Sequence, residues 1–363
     1  MPAVKAIVAE VPTTPLVRNW SLQEVDISSP GDDEVLVELY ATGICSTDIL
    51  LGSLPKGSMS VEYPKIVGHE GAGIVREIGK NVRSVALGDP VVLSFSSCTL
   101  CAQCEDSHPA YCDDFRPRNY RGKQESTKII SSGKKVWTEF FGQSSFAQFS
   151  VVNKTSVVNV KDLIQDLSEL KLFAPLGCGF QTGMGAIQNV AQAGPKDVVL
   201  ISGMGAVGMG ALMTAVIEQC KTIIAVDRVK SRLDSAKKFG ATHTINTSNP
   251  SFINLNEAVR ALVPGGASIA IDATGVPEII EQSMEATQKR GKIILIGVPP
   301  LDYFMNIQGA ALLNAIPQII KWYREGKFPI DQCVQAFGAM EYEKALVSFK
   351  KGEVIKPVLV WKD

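Results

Sequence analysis

A glycine-rich turn set between an apolar strand and a helix constrains this chain more than any other feature. Gly203-Met-Gly-Ala-Val-Gly208 follows directly on the run Val198-Val-Leu-Ile-Ser. The first glycine makes the turn, the second lets backbone approach a pyrophosphate, and the third lets helix pack on strand. The helix start then offers free N–H groups and a partial positive charge to phosphate. Asp227 ends the next apolar run, Thr222-Ile-Ile-Ala-Val, 19 positions after Gly208. An acid there accepts from an adenosine ribose 2′-hydroxyl and repels a 2′-phosphate. The pattern therefore predicts NAD rather than NADP, with Arg228 beside it as an opposing charge. Two more apolar runs, Ile269-Ala-Ile-Asp and Lys292-Ile-Ile-Leu-Ile-Gly, suit strands buried on both faces of a parallel sheet. Helical stretches such as Val229 to Phe239 lie between the runs, which predicts a doubly wound α/β domain over residues 180–314.

Cysteine placement adds a second constraint. Cys98, Cys101, Cys104 and Cys112 fall within 15 residues, while Cys45, Cys178, Cys220 and Cys333 stand alone. Four thiolates at that spacing complete a tetrahedral zinc site and leave no position for substrate, so the predicted role is structural. His108 lies inside this loop and reads as a bystander. Asp106, Asp113 and Asp114 make a nucleic-acid zinc ribbon a poor fit. Lys+Arg 36 is matched by Asp+Glu 37, so no basic excess exists to hold a phosphate backbone. The longest apolar runs fall short of the ~20 residues that span a bilayer. The N-terminal segment reads as a strand and not as a signal peptide. With the clustered cysteines, this predicts a reducing compartment, the cytoplasm.

Up to about residue 160, β-branched residues are broken by Gly and Pro. Val35-Leu-Val-Glu-Leu and Val91-Val-Leu read as strands. An irregular β-rich domain is predicted over 1–179, joined by the C-terminal part 315–363. That tail carries predicted helices at Ile316 to Glu325 and Tyr342 to Lys350, then a strand at Ile355 to Trp361. The polar, basic stretch Arg116 to Lys135 reads as an exposed, mobile loop.

Three segments remain: Gly43-Ile-Cys-Ser-Thr-Asp48, Gly68-His-Glu-Gly-Ala-Gly73 and Leu176-Gly-Cys-Gly-Phe-Gln-Thr-Gly183. Cys45, His69 and Cys178 would give zinc three ligands and one open position, as in a catalytic site. Read singly, they are equally two buried cysteines and a core histidine. Taken with the four-cysteine lobe, the glycine turn and Val354-Ile-Lys-Pro-Val-Leu359, these segments resemble the zinc-dependent medium-chain alcohol dehydrogenases over nearly the whole chain. Phe140-Phe-Gly-Gln-Ser-Ser-Phe-Ala147 is similar to the aryl (benzyl) alcohol dehydrogenase branch.

The resemblance implies a GroES-like catalytic domain beside a Rossmann coenzyme domain. It implies two zinc ions, one catalytic on Cys45, His69 and Cys178, the other structural on the cysteine lobe. Glu70 would sit behind or beside the metal, Asp48 would orient His69, and Thr47 would take the proton of the alcohol. Ser46 and Lys356 would lie near the cofactor phosphates, and Thr182 near the nicotinamide. Zinc as a Lewis acid would stabilise an alkoxide that gives hydride to nicotinamide. The implied function is NAD-dependent interconversion of a primary, aromatic or allylic alcohol and its aldehyde. Two alternatives stand beside it: a biosynthetic reductase for a bulky secondary metabolite, and a catalytically weak relative that keeps zinc and NAD.

Two departures matter. Many family members have a histidine where this chain has Leu50, so the proton's last step to solvent needs water or another group. The stretch between Gly297 and the helix at 316 is shorter than usual. A missing edge strand there would weaken or abolish the homodimer that the resemblance implies.

Overall fold

The protein is described here by a computed structural model covering residues 3–124, 127–300 and 315–361. Two compact units emerge: Met1–Cys178 with Val334–Phe349 and Lys356–Asp363, and Gly179–Cys333 with Lys350–Ile355. The α/β class, with a β-rich unit beside a parallel sheet, is as expected. No helix among the described residues is long and apolar enough to cross a membrane.

The first unit is built on the strand Glu34–Gly43. Val35, Val37 and Leu39 enter a core shared with Val75, Val91, Leu93 and Val152. The strand pairs antiparallel with Gly71–Ile78, Phe149–Asn153 and Lys356–Val360. Register decides the site. Thr42 lies opposite Gly71, and Gly43 opposite Val358. Cys45 just beyond one strand, His69 and Glu70 just before another, and Lys356 at the start of a third therefore share one end of the sheet. A smaller sheet orders Lys65–Ile66, Val4–Ala9, Trp20–Asp26 and Lys128–Ile129.

In the second unit, five strands run parallel in the order His243–Asn246, Thr222–Asp227, Val198–Ser202, Ala267–Asp272 and Thr287–Leu295. Chain direction across the sheet reverses between Val198–Ser202 and Ala267–Asp272. The glycine turn leaves the sheet at that switch point, where such folds bind ligand.

Two expectations are corrected. The tail to Cys333 belongs with the second unit and not with the first. Helix Ala315–Arg324 packs on helix Gly179–Gly185, burying Ile316, Ile319 and Ile320. Phe328 is wedged between Phe180 and Trp322. An i, i+3, i+4 apolar face says that a helix is buried, but not against which domain. The loop from Arg116 is also anchored over its first part. Asn119 is fully buried, accepts from the Ser96 amide and donates to the Ser96 and Phe115 carbonyls. One side-chain amide thus satisfies three polar partners inside a stretch whose composition reads as solvated. The expected absence of an edge strand falls on 301–314, outside the described residues.

Candidate active site

Cys45 opens the short helix Ser46–Leu51, directly after the long strand. Asp48, one turn in and fully buried, ties three segments together. Its Oδ2 accepts from the Cys45 amide at 2.8 Å, and its Oδ1 accepts from the Gly68 amide at 3.1 Å. His69 Nδ1 donates to the same Oδ1 at 2.6 Å. That bond fixes the tautomer and turns Nε2 toward Cys178 Sγ, 3.2 Å away. Cys45 and Cys178 sulfurs stand 4.0 Å apart. Ligand atoms of Cys45, His69, Glu70 and Cys178 all lie within 4.8 Å of one another.

This donor set fits zinc. Two thiolates on one tetrahedral zinc lie about 3.8 Å apart, given bonds of ~2.3 Å. A disulfide would need ~2.05 Å, and neither cysteine is in one. Glu70 is fully buried, and its Oε2 has no hydrogen-bond partner, as a carboxylate awaiting a cation would. Burial pushes the Glu70 carboxyl up to about 7, even with Lys356 beside it.

Lys356 joins the same cluster. Its Nζ donates to Glu70 Oε1 at 2.8 Å and to the Ile44 carbonyl at 3.2 Å, and the residue is 2% exposed. The ammonium therefore pairs with Glu70 at the edge of this donor cluster. Sequence does not reveal the pairing, because the two residues are far apart in the chain.

The second cluster is the predicted lobe. Sulfurs of Cys98, Cys101, Cys104 and Cys112 lie within 4.8 Å of one another, with Cys98 and Cys104 at 3.8 Å. Backbone amides of Leu100 and Cys101 donate to Cys98 and hold its thiol at about 6. Burial pushes Cys112 up to about 12. Four sulfurs this close cannot all ionise without a cation among them. His108 pairs with Asp106 at the surface, outside the cluster.

In the second unit each glycine of the turn has its own reason. Gly203 has φ +94°, a left-handed position. A Cβ on Gly208 would strike the Gly203 carbonyl at 1.8 Å, so helix and turn need that glycine to meet. A Cβ on Gly205 would instead fill open space, the room a pyrophosphate requires. Asp227 Oδ2 accepts from the Met204 amide at 2.7 Å and Oδ1 from Val229 at 2.8 Å. Arg228 beside it is exposed, as is Ser46 in the first unit; Thr47 and Thr182 are part-buried.

A family model for the alcohol dehydrogenase GroES-like domain matches residues 31–162, and one for zinc-binding dehydrogenases matches 206–316. Geraniol dehydrogenase of Castellaniella defragrans is 34% identical over 361 residues, covering 94% of each chain. The chain belongs to the zinc-dependent medium-chain alcohol dehydrogenases. The crystal structure of benzyl alcohol dehydrogenase from Acinetobacter calcoaceticus matches this dehydrogenase with a TM-score of 0.87, 35% identity and 99% of each chain. An alcohol dehydrogenase zinc-binding domain protein from Burkholderia ambifaria matches at 0.90 with 33% identity, again over 99% of each. Alcohol oxidoreduction with zinc and a nicotinamide cofactor follows from this membership.

Sequence reasoning missed two features of the dehydrogenase. Gln143, fully buried, donates to the His69 and Ser94 carbonyls and accepts from the Gly71 amide. It fixes the backbone on both sides of Glu70. The other is an aromatic cluster on His69. Phe141 stacks on the imidazole at 4.5 Å, and Phe140 meets it edge-on at 5.7 Å. Phe115 and Tyr120 pack on Phe141, and Phe95 on Phe115. The visible signal was the Phe140-Phe141 pair itself, three residues before the Ser-Ser-Phe turn.

Proposed function

We propose that this dehydrogenase interconverts a primary aromatic or allylic alcohol and its aldehyde, with NAD as hydride carrier. The observation that carries the reading is the aromatic cluster in which Phe141 stacks on His69 and is backed by Phe115 and Tyr120. All three rings are part-exposed, so they offer flat apolar surface beside the metal-binding residues. A benzyl or allylic π-system stacks on such a wall, whereas a short alkyl chain gains less from it. The names of the geraniol and benzyl alcohol dehydrogenases point to the same substrate class.

In this reading Cys45, His69 and Cys178 hold the catalytic zinc, with Glu70 within reach as a further ligand. Cys98, Cys101, Cys104 and Cys112 hold a second, structural ion. Bound zinc supplies Lewis acidity toward the alcohol oxygen, and bound NAD supplies the hydride acceptor. The chain's own residues do the rest. Asp48 orients His69 and keeps Nε2 facing the cluster. Thr47, part-exposed at the start of the helix after Cys45, accepts the substrate hydroxyl proton and passes it on. Leu50 has no titratable group, so that proton leaves through water. Gly203, Gly205, Gly208 and the helix start hold the pyrophosphate, Asp227 the adenosine ribose, and Thr182 the nicotinamide end.

A substrate panel tests the reading: benzyl alcohol, geraniol, ethanol and 1-butanol, with the matching aldehydes, each with NAD and NADP. Expected are the highest kcat/KM values on the first two substrates and with NAD. Preference for the short alkyl alcohols, or for NADP, would overturn it.

A further inference from the structure

Lys65 is fully buried, which lysine almost never is without a paired anion. Its Nζ donates to the Tyr120 carbonyl and lies over the Phe140 ring, 5.3 Å from the centroid. Among the described residues no carboxylate pairs with it; Glu62 acts on it only as a neighbouring charge. Burial accordingly draws the amine down to about 7. Apolar residues fill such a position at no desolvation cost, so what the amine touches is informative. It touches two separate pieces of the aromatic cluster. Tyr120 belongs to the turn Pro117–Arg121, whose other anchor is Asn119. Phe140 precedes Phe141, which sits at φ 53° and stacks on His69. A left-handed non-glycine residue persists only where its surroundings hold it. Lys65 itself is fixed, because its strand pairs with Val4–Ala9 and bridges Trp137.

We propose that Lys65 is a positioning residue for the aromatic wall. Its buried Nζ ties the Tyr120 turn to the Phe140–Phe141 turn, holds both rings beside His69, and so sets the preference for aromatic over alkyl alcohols. The inference rests on the substrate reading above and adds the residue that enforces it. Lys65 touches no reacting atom, so its loss acts on substrate fit and leaves the chemical step in place.

Lys65→Met keeps the length and removes the donor; Lys65→Arg keeps a donor. Both are compared with wild type on benzyl alcohol and 1-butanol, alongside zinc content and hydrogen exchange of residues 117–121. Expected for Lys65→Met is a KM for benzyl alcohol raised about tenfold, with kcat and the 1-butanol KM each within about twofold. Exchange at 117–121 should rise, zinc content should hold, and Lys65→Arg should recover most of the benzyl alcohol KM. An unchanged ratio of the two substrates' kcat/KM in Lys65→Met overturns the proposal, as does an equal loss on both. If Lys65→Met does not accumulate folded with zinc, Lys65→Gln, whose donor falls one bond short, is read the same way. A wild type without aromatic preference overturns the substrate reading instead. The tether is then judged by exchange alone, and unchanged exchange at 117–121 sinks it.

Discussion

Thr47 and Asp48 are adjacent on one short helix, and their surroundings assign them different work. Asp48 is fully buried with its carboxylate shared among Cys45, Gly68 and His69, so it is a fixed part of the metal site. Thr47 is part-exposed, and the proposed reading gives it the substrate's hydroxyl proton. Thr47→Ala should therefore lower the single-turnover hydride-transfer rate by ~10²-fold, the low end for lost proton transfer, with zinc content retained. A rate equal to wild type would sink the role. Lys65 allows a prediction from charge alone. Its folded pKa of about 7 lies below the ordinary 10.5, so between those values the unfolded chain binds a proton that the folded chain does not. Stability contributed by this residue must then rise with pH across that window. Between pH 7 and 9 the gain is on the order of 2 kcal/mol. Urea titrations at both pH values should show it in wild type and not in Lys65→Met. An identical slope in the two proteins would mean that Lys65 is not the group responsible.

At the scale of elements, the four-cysteine lobe and the glycine turn each depend on specific chemistry. The lobe holds only a short helix, Ala102–Glu105, and the turn Pro109–Tyr111, with Leu100 79% exposed. Cys104→Ser should remove about one zinc per chain and lower the melting temperature, because metal binding and folding are coupled there. Unchanged zinc and melting would refute the coupling. The turn depends on Asp227, whose two oxygens are already bonded to Met204 and Val229 amides. Asp227→Ser removes its negative charge and the Met204 tie together. The ratio of kcat/KM for NAD over NADP is expected to fall about tenfold or more, roughly 1.4 kcal/mol. A wild type that favours NADP would undo the assignment. Both elements were legible in sequence because each is written in consecutive residues. The Gln143 bonds, the aromatic wall and the Lys65 tether were not. Each joins residues tens of positions apart, and in sequence Lys65 is one polar residue ahead of the apolar pair Ile66-Val67. The same distance hid the pairing of Lys356 with Glu70.

The molecule as a whole was legible as two domains because its periodicity changes near residue 180, from broken β-branched runs to alternating strands and helices. The ownership of the tail was not, since a buried helical face does not name its partner. That division into two units meets the two donor clusters in an uneven way: Cys45, His69, Cys178 and the four-cysteine lobe all lie in the first unit. If each cluster holds zinc, as proposed, loss of either ion should spare the parallel sheet, but the two losses should differ in kind. The site at Cys45 is framed by the long strand, by Asp48 and by Gln143, so its scaffold stands without metal. The lobe has four thiolates, a softer and more complete set, and little else to hold it. A chelator such as dipicolinate should remove about one zinc per chain first. Turnover should vanish in that phase, with melting changed by no more than about 2 °C. A second zinc should follow slowly, with melting falling on the order of 10 °C, as expected for an ion whose binding supplies folding energy. Metal release followed with a zinc dye, beside activity and calorimetry, separates the phases. Release of both ions in one step, or loss of structure with the first, would show that the site at Cys45 is not preformed.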